Sequence, residues 1–235
     1  GGGYNGNTIA QVAWCWKKTA TAGFDIVAYT GTGSSNAVSH SLSATPNMMI
    51  IKNRDDTDSW YVWHQGLGAV ATNYITLDTT GAASSVDNGI IALSSSNFTV
   101  NTRGDVNENN MKYIAYCFAQ KQGFSKIGSY IGTGSDVFIH TGFKVGWLLV
   151  KNADNTNGWL VIDTKRSPAN PQGKYIYANA SSAEGTVTYG EFFSNGFGWK
   201  GTGSVAVNQS GEKFIYYAIA ENPFVTSTGV PATAR

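Results

Sequence analysis

The sequence predicts an all-β protein of two tandem antiparallel β-sandwiches, jelly-roll-like and about 100 residues each, preceded by one strand of an earlier unit. Three observations predict this. The chain repeats itself with an offset of about one hundred positions: Tyr29-Thr-Gly-Thr-Gly33 returns as Tyr130-Ile-Gly-Thr-Gly134, and Met49-Ile-Ile-Lys-Asn53 returns as Leu148-Leu-Val-Lys-Asn152. Apolar residues alternate with period two, as at Ile215, Tyr217 and Ile219, and no segment sustains a 3.6-residue period. The composition is that of a strand-and-turn protein: 28 Gly, 13 % charged and 13 % aromatic residues, with few Leu, Glu and Lys to build a helical bundle.

The elements follow in order. Residues 1–20 contain Asn5–Lys17, which resembles Asn107–Ala119. Val12, Trp14 and Trp16 alternate there as Ile114, Tyr116 and Phe118 do, so the chain is expected to open on the last strand of a preceding unit. A lone strand cannot fold. It therefore belongs to a longer polypeptide or completes a neighbour's sheet, and the first is favoured. Residues 21–122 form the first sandwich, with strands at 24–30, 48–52, 60–64, 74–78 and 97–101. Residues 123–235 form the second, with strands at 126–131, 174–178 and 196–200, a C-terminal tail, and a boundary near Gly123. Ser181–Gly185 reads as a single helical turn. The Asn- and Asp-rich segments 53–59 and 152–158 read as equivalent hairpin loops.

Charge excludes some partners. With 16 basic and 15 acidic residues the net charge is +1, which gives no basic footprint for nucleic acid. The longest apolar runs, Val145–Val150 and Phe214–Ala220, are too short for membrane insertion. No signal-peptide pattern opens the sequence.

Candidate chemistry is sparse. His40 and His140 recur beside Ser and Thr, but neighbours on a strand point to opposite faces, which makes a poor nucleophile–base pair. His64 is replaced by Asp163 in the second unit. Asp55, Asp56 and Asp58 share one loop, yet the second unit keeps only Asp154 beside Asn155 and Asn157, so neither a glycosidase acid pair nor a metal site is expected. Gly31-Thr-Gly33 and Gly132-Thr-Gly134 follow strands without a helix after them and read as turns, not phosphate cradles. Cys15 and Cys117 occupy equivalent strands of successive units and are expected to be free thiols. No catalytic residue, metal or cofactor is predicted.

The motifs resemble a known repeat. Phe24-Asp-Ile-Val-Ala-Tyr-Thr-Gly-Thr-Gly33, Met49–Asn53, Gly104-Asp-Val-Asn107, Gly173-Lys-Tyr-Ile-Tyr-Ala-Asn179, Ser182-Ala-Glu-Gly185 and Ala220-Glu-Asn-Pro-Phe224 look like parts of a repeat domain of marine tailed-phage (cyanophage-like) virion structural and tail-fibre-like proteins. The resemblance covers Ile9–Arg235 and implies a non-enzymatic virion component, with no ligand residues to carry over. It implies a tail-fibre or appendage module on the surface of the particle, synthesised in the host cytoplasm. Its partners would be other virion proteins and further copies of itself, a trimer being the expectation. A capsid decoration or head-fibre protein is the alternative, and a glycan-cleaving enzyme is argued against by the missing acid pair. Tandem sandwiches would suit a protease-resistant rod. A host-surface carbohydrate would be bound weakly by Trp199, expected exposed because its counterpart is Val100, together with the Asp154, Asn155 and Asn157 loop.

Overall fold

Each large sheet of this protein is apolar on both faces, and that property dictates how its layers stack. The computed structural model describes residues 10–85, 88–225 and 231–232. The first unit contains β1 (Phe24–Thr30), β2 (Asn36–Ser39), β3 (Met48–Asn53), β4 (Tyr61–His64), β5 (Asn73–Thr76), β6 (Ser84–Ser85), β7 (Ile90–Leu93), β8 (Asn97–Val100), the short helix α1 (Gly104–Asn107) and β9 (Lys112–Phe118). The second contains β10 (Ser125–Ile131), β11 (Val137–His140), β12 (Val145–Asn152), β13 (Leu160–Asp163), β14 (Lys174–Tyr177), β15 (Gly185–Thr186), β16 (Gly190–Phe193), β17 (Gly196–Trp199) and β18 (Lys213–Ala220). Six strands in the order β1-β9-β3-β4-β5-β6 face three in the order β2-β8-β7, and the second unit copies this as β10-β18-β12-β13-β14-β15 facing β11-β17-β16. First strand against last, and second strand against next-to-last, is jelly-roll-like wrapping. The chain is thus two β-sandwiches.

Alternation assigns the residues to layers. In β9, Tyr113, Ala115 and Cys117 point into the first sandwich with Met49, Ile51, Phe98 and Val100. In β18, Phe214, Tyr216 and Ala218 do the same in the second with Leu148, Val150 and Trp199. The other face of each large sheet is apolar too, and the two faces meet: Met48, Val62, Ile75 and Phe118 pack with Leu149, Trp159, Val161, Ile215 and Tyr217 in a third core. The stack is four layers of three, six, six and three strands. Each side chain buried there contributes about 1.5–3 kcal/mol. The linker between β9 and β10 is short, and the outer faces of the two large sheets are covered by packing against each other, with Trp14 and Trp16 of the leading segment against the same core.

The repeated Tyr-x-Gly-Thr-Gly segment is a clasp. The Tyr29 hydroxyl donates to Val106 O, and that of Tyr130 donates to Val207 O. Gly31 and Gly132 lie so close to Glu108 O and Gln209 O that a Cβ would be 2.1 Å away in each case. The amides of Thr32 and Thr133 donate to the side chains of Asn107 and Asn208, each at 2.9 Å. Both Asn residues are fully buried, and each Nδ2 donates to two main-chain carbonyls, so their polar groups are satisfied. Gly33 and Gly134 hold φ of 67° and 72°, the left-handed region that suits glycine.

Three local expectations need correction. Residues 181–184 form no helical turn; Gly185 and Thr186 pair instead with Tyr175 and Lys174. Residues 10–18 belong to no strand, although Trp14 and Trp16 face the third core as their spacing suggested. His40 and His140 are not equivalent: the ladder matches His140 to Ser39, and His40 to Thr141. His40 Nδ1 and Thr141 Oγ1 each accept a main-chain N–H two residues on, so an imidazole and a hydroxyl perform the same turn-closing task. The expected β4 start at Trp60 moves to Tyr61, and β3, β5, β8, β10, β14 and β17 agree within two residues at either end.

Candidate functional site

Trp199 is buried, not exposed. Its indole Nε1 donates to the Tyr130 hydroxyl at 2.7 Å, and its ring packs edge-on against Phe197 and Tyr189. The size difference from Val100 has an internal compensation. Val100 pairs with Ile90 across the sheet, whereas Trp199 pairs with Gly190, where a Cβ would lie 3.4 Å from the indole Cζ3. Large against small replaces medium against medium.

The 152–158 loop is likewise occupied with its own structure. Asn152 Oδ1 accepts the amides of Asp154 and Asn155, both at 3.0 Å. Asp154 Oδ2 accepts from the Lys213 amide, Asn155 Nδ2 donates to Glu212, and the Asn157 amide donates to Thr80 O of the first sandwich. No hydrogen bond or ring contact joins Trp199 to this loop among the described residues. The structure therefore does not assemble the sugar site expected from Trp199, Asp154, Asn155 and Asn157. The acidic loop of the first unit behaves similarly: Asp55 accepts from the Lys112 amide, Asp56 from Thr57, and Asp58 from Asn53. No group of three or more His, Cys, Asp or Glu side chains converges to hold a metal ion among the described residues. Both cysteines are free, Cys15 exposed and Cys117 buried.

Polar groups that matter structurally lie in the seam between the sandwiches. His64 Nε2 donates to Tyr216 O at 3.1 Å while Nδ1 accepts the Gly66 amide at 2.9 Å. Burial pushes its pKa down to about 4, against a smaller upward pull from the Tyr216 carbonyl. The Trp159 indole donates across the seam to Thr76 O at 2.9 Å. Lys151 is fully buried there, its ammonium held by the carbonyls of Thr80, Asn152 and Asn155, and burial pushes its pKa down to about 8. Its counterpart Lys52 reaches the matching carbonyl, Asp56 O, but in solvent.

Two of the concave surfaces among the described residues are lined by clustered aromatic side chains. One is a wedge of about 400 Å³ at an open end of the seam, walled by Trp14, Trp16, Trp60, Tyr116, Trp147 and Tyr217. Trp14 and Trp16 meet Trp147 edge-on, with centroids 6.2 and 5.4 Å apart. Its lining is almost wholly apolar, so it can bury hydrocarbon but offers no acid, base or nucleophile. The other lies on the solvent face of the second small sheet. It holds about 350 Å³ between Phe138, Glu191, Phe193 and Lys200, with Asp136 at its rim. Phe138 and Phe193 are 49 % and 36 % exposed. The sequence signal for it is the alternation Gly196-Phe-Gly198-Trp, two glycines on one face of a strand beside aromatic-bearing edges.

Among the described residues, no helix is long and apolar enough to cross a membrane. No curated protein and no solved structure matches the chain. A family model described as a domain of unknown function, DUF7483, matches residues 1–223, which takes in both sandwiches and the segment before them. A single model over both halves is consistent with two sandwiches that share a core, and this chain belongs to the DUF7483 family.

Proposed function

We propose that this chain is a non-enzymatic structural module of a tailed-phage virion, carried on the particle surface as part of a tail fibre or similar appendage. The observation that supports the reading most is the third core. Two sandwiches fused through their large sheets, with His64, Trp159 and Lys151 bonded across the seam, form one block suited to bearing load and holding a neighbour in place. The ordered set of motifs from Phe24 to Phe224, which resembles virion repeat domains, supports the same reading. Sheet edges at β1, β6, β10 and β15 offer main-chain groups to other virion proteins or to further copies in a homo-oligomer, for which a trimer is the proposed state.

Immunogold labelling of intact phage particles tests this. Antibody against this chain is expected to decorate the tail tip or its fibres. Label confined to the head would move the protein to capsid decoration, and absence of label from particles that contain no copy by mass spectrometry would overturn the reading.

A further inference from the structure

On the solvent face of the second small sheet, we propose that Phe138 and Phe193 form a platform for a neutral pyranose sugar, with Glu191, Asp136 and Lys200 as its hydroxyl-binding rim. The platform is built by two glycines. Central strand β17 presents Gly198 opposite Phe138 and Glu191, and Gly196 opposite His140 and Phe193. A Cβ at Gly196 would lie 2.8 Å from the Phe138 ring, and one at Gly198 would lie 3.1 Å from the Phe193 ring. Glycine at both positions lets the two rings lean in from the edge strands and lie low over the backbone. They meet there edge-on with centroids 5.5 Å apart. They are the only aromatic side chains among the exposed large hydrophobics of the described residues.

Among the described residues, the first sandwich has no such surface. Its equivalent positions, read from the matching ladders, are Ala37 for Phe138, Thr99 for Gly198, Asn97 for Gly196 and Ala92 for Glu191. A sheet face that needed only solvent contact would be served by those small and polar residues. The second unit instead exposes two large rings, at a cost in solvation that nothing in its own packing requires.

The rim decides the class of ligand. No hydrogen bond or ion pair engages the side chain of Glu191 or Lys200 among the described residues, although both line the same hollow. Asp136 uses one carboxylate oxygen on the Gly201 amide, at 2.7 Å, and keeps the other. Two carboxylates and one ammonium accept from and donate to hydroxyls, while the rings cover the C–H face of a sugar. The local charge of −1 disfavours uronic or sulfated sugars. The hollow is shallow, so one site binds in the region of 1 mM, and copies on one particle would supply avidity. The biological source of the sugar rests on the virion reading above; the site itself does not.

Saturation-transfer NMR on the full chain tests it, with maltotriose, cellotriose, laminaritriose and N-acetylchitotriose as neutral probes and trigalacturonate as the acidic one. At least one neutral trisaccharide is expected to receive saturation at its ring C–H protons, and trigalacturonate none. Phe138→Ala and Phe193→Ala should each weaken binding about fivefold or more with unchanged thermal midpoints, since both rings are exposed. If either variant misfolds, Glu191→Gln and Lys200→Gln carry the same test. Silence across the neutral panel, or saturation retained in the double Phe variant, overturns the proposal. So does a dimer in sedimentation that Phe138→Ala dissolves, which would make the patch an interface between copies. Particles labelled by antibody together with a silent panel would remove this site and leave the virion reading standing.

Discussion

One proton on His64 opposes the contact between the two sandwiches. The ring is 1 % exposed and both nitrogens are committed, Nδ1 as acceptor from Gly66 and Nε2 as donor to Tyr216 across the seam. A second proton would have to sit on Nδ1, facing an N–H, so it would break that bond and bury a charge. Burial accordingly holds the pKa at about 4, against 6.5 for a free imidazole. The sign follows from linkage. Between pH 6.5 and 4 the unfolded chain binds a proton that the folded chain refuses, so stability falls as pH drops through that window. Each pH unit costs about 1.4 kcal/mol, or about 3 kcal/mol over the whole interval. Above pH 6.5 the contribution is complete. The assay is urea unfolding followed by tryptophan fluorescence from pH 7.5 to 5.5, at least about a unit above the ordinary values of 3.8 and 4.5 at which Asp25 and Glu221, both held low in the fold, protonate in the unfolded chain. His64→Gln should be less stable at pH 7.5, by about 1–3 kcal/mol for disturbed buried bonds, but with a shallower pH dependence that keeps the contribution of His40. His40→Asn removes the smaller contribution of His40, whose partial burial lowers its pKa in the same direction. Parallel pH profiles for the wild type and His64→Gln would refute the assignment.

Other perturbations probe the remaining layers. In the native protein, Ellman's reagent should titrate Cys15 at once and leave Cys117, whose thiol burial pushes up to about 12, untouched until urea is added; a native count of two fast thiols contradicts this. Gly31→Ala and Gly132→Ala should each cost more than about 2 kcal/mol, because the new Cβ meets immovable main-chain oxygen at 2.1 Å, whereas Gly81→Ala should be tolerated with its nearest atom at 3.6 Å. Equal midpoints for Gly132→Ala and Gly81→Ala would show that the clasp yields. Trp159→Phe should cost about 2 kcal/mol or more through a cavity and a lost bond to Thr76. Trp60→Phe, at the half-buried counterpart, should cost less, and the reverse order would mislocate the tighter end of the seam.

Much of this architecture was legible in the residues. The offset of Tyr29-Thr-Gly-Thr-Gly33 marked the duplication, and the period of Ile215, Tyr217 and Ile219 marked a strand with an apolar face. What lies against that face was not legible. Met48-Met-Ile-Ile51 reads as buried on both sides, but hydrophobicity carries no address, so an end-to-end rod and a face-to-face stack share one pattern. Trp199 misled for a related reason: comparing it with Val100 alone ignored the partner position, where Gly190 replaces Ile90. His40 and His140 aligned by letter while the ladder set them one residue apart, because the hundred-residue offset shifts between segments. The surface pair Phe138 and Phe193 needed the cross-strand register, since 55 residues of sequence separate two rings that touch.

The face-to-face seam also limits how such a repeat can multiply. In a solenoid every unit has a top and a bottom, so growth is open-ended. Here each unit owns a single sticky face, and that face is consumed by its twin. Its valence is one, and the association saturates at two, as a two-fold dimer does and a filament does not. A longer polypeptide made of these units would be a string of doublets, stiff within each doublet and hinged between them. Its count of sandwiches would favour even numbers, and deleting one sandwich would strand a large apolar sheet in water. The physical unit to transplant, truncate or fuse is therefore the doublet, not the hundred-residue repeat that the letters display.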